Sequence, residues 1–249
     1  MEWKIIHLAE TDSTNCWLRE NFALGKVGAD SEGTGCLSGA DAVVVWADYQ
    51  TAGRGQGSNR WESERGKNLT FSMLIHPRGI KAHRQFCISM AISLAICEAL
   101  GQHIGHLSIK WPNDIYWRDS KIGGILIENT LQGSIVKDCI IGIGLNINQR
   151  VFRSDAPNPV SMWQISEQET DCEQLLHDIL RNFEDYLGRR CKDDYLSKLY
   201  RRRGFFPYAD KEGAFMAEIR DVEDDGHLLL LDDSGEERRY AFKEVTFII

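Results

Sequence analysis

The chain has 249 residues and a formal net charge of -8, with 43% hydrophobic and 27% charged residues. This composition suits a globular protein of one large domain, or a medium domain beside a small one. The acidic balance argues against a surface built to hold duplex DNA, so any anionic ligand must meet positive charge gathered locally. The first ten residues mix polar and apolar side chains, unlike a secretory leader. The seven cysteines form no CxxC pair, which suits free thiols in a reducing cytoplasm rather than a disulfide framework or zinc site.

In chain order, Asp12-Ser13-Thr14-Asn15 reads as a helix start, with Trp17, Leu18 and Phe22 following on one side. Residues 25–42, rich in Gly, Ser and Asp, read as a surface loop. The apolar runs over 42–47 and 69–75 predict buried strands. The stretch 86–100, interrupted by Ser89, Ser93 and Glu98, is too short to span a bilayer and predicts a buried central helix over 84–100. Short strands are expected over 107–111, 122–128 and 135–148. Leu175, Leu176, Ile179, Leu180, Phe183 and Leu187 recur at helical spacing, and a further helix is expected over 194–202. After Gly204, β-like runs over 214–219, 228–231, 239–242 and 245–249 alternate with Asp-Asp-Gly and Asp-Asp-Ser-Gly turns. The expectation is an α+β fold. A central mixed sheet with packed helices would occupy 1–203, and a small all-β domain 204–249.

Four motifs invite chemistry. Gln50-Thr51-Ala52-Gly53-Arg54-Gly55-Gln56-Gly57-Ser58-Asn59-Arg60-Trp61 is a glycine-rich loop after a strand. Its backbone N–H groups suit an anion, and Arg54 adds a forked cation, although a mobile turn is the plain alternative. It matches neither a Walker A loop nor a dinucleotide fingerprint. Lys110-Trp111-Pro112-Asn113-Asp114 ends a strand at Pro112 and clusters Lys110, Asn113 and Asp114 there. Lys121-Ile122-Gly123-Gly124-Ile125-Leu126-Ile127-Glu128 and Gly142-Ile143-Gly144-Leu145-Asn146-Ile147-Asn148 put glycines inside apolar strands. Either a ligand lies flat against them or they mark a bulge or bend. Two glycine-opened strands with Arg54, Lys110 and Lys121 imply a slot for a flat, largely apolar ligand joined to an anion. None of the histidines makes an HExxH motif.

These motifs, in this order from about Glu10 onward, resemble those of the biotin protein ligases, with Lys-Trp-Pro-Asn-Asp and Lys-x-x-Gly-Ile-Leu the most specific. The resemblance implies a mixed sheet related to class II aminoacyl-tRNA synthetases, followed by an SH3-like barrel. It implies activation of biotin by ATP, with Mg²⁺ on the phosphates. Transfer to one lysine of a biotin carboxyl carrier protein follows, in the cytoplasm and without membrane or DNA, by a chain whose monomeric or homodimeric state stays open. Ser13, Thr14, Asn15 and Gln50 would hydrogen-bond the polar ring of biotin. Gly53, Gly55, Gln56, Gly124 and Gly144 would line its path, and Arg54 and Lys121 would meet both carboxylate and α-phosphate. Trp61 would lie against adenine, with Arg60, Lys110, Asn113 and Asn146 on the nucleotide side and Asp114 a candidate base. Gln56 stands where many relatives carry arginine. A lipoate protein ligase and a non-catalytic biotin-binding protein are the alternatives. The twelve residues before Ser13 hold no helix-turn-helix. The protein is therefore expected to leave promoter DNA unshifted at physiological salt, and a salt-sensitive, sequence-specific gel shift would refute this.

Overall fold

The runs 42–47 and 69–75 are strands with the bounds that the sequence implies; both are buried nearly throughout, and pairing with neighbouring strands satisfies their backbones. The structure, a computed structural model, describes residues 1–23, 42–57, 59–153 and 157–249, so the loop expected over 25–42 lies outside the described residues but for Ala42. In chain order the elements are β1 (Trp3–Leu8), α1 (Thr14–Ala23), β2 (Ala42–Ala47), β3 (Leu69–Ile75), α2 (Phe86–Gly101), β4 (Leu107–Lys110) and β5 (Asp114–Trp117). There follow β6 (Ser120–Gln132), β7 (Ile135–Leu145), α3 (Met162–Ser166), α4 (Cys172–Leu187) and α5 (Lys192–Ser197). The chain ends with β8 (Phe206–Asp210), β9 (Gly213–Val222), β10 (Leu228–Asp232), β11 (Glu237–Tyr240) and β12 (Thr246–Phe247). The fold is α+β, as the sequence implies.

Two compact units divide the chain: Met1–Ala82 with Ser120–Asp178, and His83–Asp119 with Ile179–Ile249. In the first, β1, β2, β3, β7 and β6 lie side by side; β1 and β2 are parallel and the other neighbours antiparallel. The register sets which residues share a face. Val45, Ser72, Gly142 and Leu126 stand in one row across four strands, and Thr70, Gly144 and Gly124 in the next row on the same face. Further along it, Val43, Leu74 and Ile140 join Leu18 of α1 in a buried cluster flanked by Trp17 and Phe22. The apolar stripe of α1 thus covers one end of this face and leaves the rows with glycine beyond it. The opposite face carries Val44, Phe71, Met73, Ile125, Ile141 and Ile143, all buried. The register shift in the β6–β7 pair falls between Thr130 and Leu131, so no bulge accounts for Gly123 and Gly124.

In the second unit α2 is the central helix. The segment Ala82–Gly101 is long and apolar enough to cross a bilayer, yet its window is 67% buried in the protein, which makes it a core helix. Edge-on contact of Phe86 with Tyr195, 5.8 Å between ring centres, ties it to α5. β4 and β5 form a hairpin through Trp111-Pro112-Asn113, whose Trp111–Pro112 peptide is cis. The last five strands make an antiparallel sheet in the order β11-β10-β9-β8-β12. Asp232 sits buried at its β10–β11 turn. Bonds from the Ser234 hydroxyl and the Glu236 N–H, with the Arg238 guanidinium beside it, lower its pKa to about 2. β1, β5 and β8 had no expectation from the sequence.

Candidate active site

Ser13 precedes the first residue of α1 in the capping position, and Ser13, Thr14 and Asn15 are all buried. Thr14 gives Gln50 Oε1 two hydrogen bonds, from its N–H at 2.8 Å and its hydroxyl at 3.2 Å. The same hydroxyl lies 2.6 Å from that of Ser72, which donates to Asn15 Oδ1. Asn15 Nδ2 donates to Glu128 Oε2 at 3.0 Å, and Arg19 pairs with that carboxylate. Glu128 only accepts, so it fixes which way the Asn15 amide faces and leaves Oδ1 to Ser72. The result is a chain of polar groups from Gln50 to Glu128 laid across the sheet.

The glycines of β7 make that layer fit. A Cβ on Gly142 would stand under 3.0 Å from the Asn15 amide, and one on Gly144 under 3.0 Å from the indole of Trp61. Trp61 also reaches Gly124, the cross-strand partner of Gly144, where a Cβ would meet Trp61 Cζ3 at 3.5 Å and Lys121 Nζ at 3.4 Å. The glycine openings therefore admit side chains of the protein itself. Trp61 Nε1 is buried there with no hydrogen-bond partner among the described residues. An orphan donor of this kind costs about 1–3 kcal/mol.

Trp61 ends a small hairpin. Its N–H bonds Gly53 O at 3.0 Å, Gly55 N–H bonds Asn59 O at 2.8 Å, and Gly57 has φ +64°, a conformation open to glycine. A Cβ on Gly53 would stand 2.6 Å from the Trp61 carbonyl, so this position also requires glycine. Arg54 and Arg60 are direct cross-strand partners in the hairpin and both are exposed. Partners in an antiparallel pair project to one face, so two guanidinium groups share it. Among the described residues neither has a carboxylate ion pair. Arg54 instead touches Cys16 Sγ at 3.7 Å, and that bond, with the charge of Glu128, raises its pKa further. Like charges set opposite one another repel unless an anion joins them.

Lys121 is held at the start of β6 by backbone bonds to Asn158 and Val160, at 2.9 Å each. Its ammonium lies 6.0 Å from the Trp61 ring centre. The site thus offers a polar cradle, a floor without Cβ atoms, and three cations.

The sequence profile of the biotin/lipoate A/B protein ligase family matches residues 38–146. A biotin–[acetyl-CoA-carboxylase] ligase of Paracoccus denitrificans is 32% identical over 176 residues, covering 68% of this chain and 67% of that protein. The chain belongs to the biotin/lipoate A/B protein ligase family. The bifunctional ligase/repressor BirA of Bacillus spizizenii is 30% identical over 224 residues, which is 81% of this chain but 65% of that longer protein. The chain thus spans less than two thirds of this curated relative. The biotin protein ligase of Aquifex aeolicus, solved with biotin and ATP, has the same fold: TM-score 0.76 at 24% identity, covering 98% of this chain and 97% of that one.

Within this ligase fold, the first unit holds Ser13, Thr14, Asn15, Gln50, Gly53, Arg54, Gly55, Gln56, Arg60, Trp61, Lys121, Gly124 and Gly144. Asn146, expected on the nucleotide side, turns its Nδ2 to Val160 O at 3.2 Å and is buried, so it braces the segment that holds Lys121. Lys110, Asn113 and Asp114 belong to the second unit. There Lys110 faces Asp114 across the β4–β5 hairpin and lies over the rings of Tyr116 and Phe247, at 5.1 and 5.4 Å. The Trp61 ring, expected against adenine, covers the glycine floor here. Ser72, Arg19 and Glu128 carried no expectation as site residues; a serine inside the wholly buried run Leu69–Ile75 was the available signal.

Gly142→Ala tests the packing directly. The added methyl meets an amide held at both ends by hydrogen bonds, so about 1–3 kcal/mol of stability should be lost in chemical denaturation. A variant as stable as its parent would show that the Asn15 amide has room to move.

Proposed function

We propose that the chain is a biotin protein ligase that condenses biotin with ATP to biotinoyl-5'-AMP and passes the biotin to one lysine of a biotin carboxyl carrier protein. The observation that carries this reading is the row Gly124–Gly144, with the Thr14–Asn15–Gln50 cradle on the same sheet face and Arg54, Arg60 and Lys121 around it. A flat bicyclic ring with polar edges and an apolar tail ending in carboxylate matches such a site. The Paracoccus relative, named for acetyl-CoA-carboxylase, and the Aquifex complex with biotin and ATP support the same substrates.

In the first step a biotin carboxylate oxygen attacks the α-phosphorus and pyrophosphate leaves. Both reactants are anions, so the cations of the site would position them and offset their repulsion. Lys121, beside the floor, would touch carboxylate and α-phosphate. In the second step the carrier lysine, as neutral amine, attacks the acyl carbon, AMP leaves, and the amine proton must be removed. Asp114 remains the candidate base, and Lys110 and Asn113 remain nucleotide residues, on the strength of their motif alone. Mg²⁺ on the phosphates keeps most of its water and needs few protein oxygens. Glu128, the carboxylate of the polar cradle, is taken by Asn15 and Arg19 and does not fit a metal, so no step is assigned to the ion. The reading also takes residues 204–249 as a separate small module and the cytoplasm as the setting.

Lys121→Ala should keep the fold and lower adenylate formation by a factor of ~10² or more, the scale for loss of a charge clamp in a shielded site. Near-normal incorporation of label from α-phosphate-labelled ATP into the biotinyl adenylate would sink the assignment. Gln56 is neutral where many relatives carry arginine, and the cross-strand placement of Arg60 beside Arg54 makes Arg60 its replacement in holding the intermediate. Arg60→Ala should therefore release adenylate, read as increased biotin labelling of albumin added to enzyme, ATP and biotin. No increase would remove Arg60 from this role.

A further inference from the structure

The Trp61 indole occupies the surface that the flat ligand requires. It lies against Gly144 and reaches Gly124, the two positions whose missing Cβ atoms open the floor. Nothing intervenes between ring and backbone, so indole and ligand cannot share the place. We propose that Trp61 is a gate: in the free protein its indole plugs the biotin slot, and biotin enters only as the ring swings out. This rests on the reading of the site as a biotin slot and adds how the slot is kept closed.

Three features show that the plug is built to leave. First, the ring buries Nε1–H with no acceptor among the described residues, so the closed state forfeits a hydrogen bond that solvent or a ligand would restore. A tryptophan packed for stability alone finds a partner for that donor, as Trp111 does by giving its Nε1–H to Gly226 O at 2.9 Å. Second, Trp61 stands at the end of a hairpin containing Gly53, Gly55 and Gly57, a backbone that can hinge. Third, the Lys121 ammonium lies 6.0 Å from the ring centre, within range of weak cation–π attraction. A carboxylate that draws Lys121 to itself takes that contact from the ring, so the anionic end of the right ligand helps to open the slot that its apolar body fills. The gate would thus favour ligands that carry both parts.

The gate acts on entry, whereas any covering role for the ring after binding acts on escape, so the association rate separates them. Stopped-flow binding of biotin without ATP is measured for the whole chain as wild type, Trp61→Ala and Trp61→Phe, following displacement of a fluorescent biotin analogue and, separately, intrinsic fluorescence. Trp61→Ala should bind biotin at least tenfold faster than wild type, and Trp61→Phe at an intermediate rate. The wild-type change in intrinsic fluorescence should be absent from Trp61→Phe. Equal or slower association by Trp61→Ala would overturn the gate and leave the ligase reading standing. Failure of both wild type and Trp61→Ala to bind biotin would overturn the ligase reading and the gate together.

Discussion

Asn15 and Trp61 can lie flat on the sheet because β7 lacks a Cβ under each of them, at Gly142 and Gly144. The rest of the site depends on that clearance. With side chains at those positions the Asn15 amide would lose its place between Ser72 and Glu128, and the order of Thr14 and Gln50 would go with it. Glycine inside a strand weakens it. Here the cost is offset by neighbours: β7 lies between β3 and β6, and the strands pair along its length. The opposite face keeps a continuous apolar layer. The sheet is therefore rigid where it needs a core and shaved where it needs a floor.

Charge follows the same division between whole and part. A chain of net charge -8 repels anions in bulk, yet the Gly53–Trp61 hairpin sets Arg54 and Arg60 on one face without a carboxylate ion pair among the described residues. Glu128, which a cation might otherwise seek, is occupied by Arg19 and Asn15. Positive charge is thus gathered on the hairpin, whose Trp61 lies 6.0 Å from the Lys121 ammonium. The site has two parts: a hydrogen-bonded polar cradle over the sheet, and a group of cations at the hairpin and at Lys121. The hairpin joins them, because Trp61 at its end rests on the floor while its arginines carry the charge.

Much of this was legible in the sequence, for reasons that differ by element. β2 and β3 are buried nearly throughout, and their short runs of β-branched, aromatic and other apolar residues suit strands covered on both faces. β1 escaped because Trp3–Leu8 is half-exposed and mixes Lys4 and His7 into its run, and β8 because Pro207 reads as a strand breaker. The site motifs were visible mainly as residue types that local structure did not require, above all the glycines inside strands, whereas Ser13 and Thr14 read only as a helix start until their burial was seen. Where side chains came to rest was not visible. The packing of Trp61 on Gly144, the pairing of Arg54 with Arg60 and the turning of Asn146 toward Val160 are tertiary contacts, set by the register of β3, β7 and β6 and by the hairpin, which no periodicity encodes.

The central claim is that the cradle, the floor and the cations serve one reaction between biotin and ATP. The most direct measurement is pyrophosphate release from ATP by the purified chain, with biotin, with lipoate and with neither acid. The account predicts release that depends on biotin, that lipoate does not replace, and that continues past one turnover only when a biotin carboxyl carrier domain is added. Release supported equally by lipoate, or none with either acid, would contradict it.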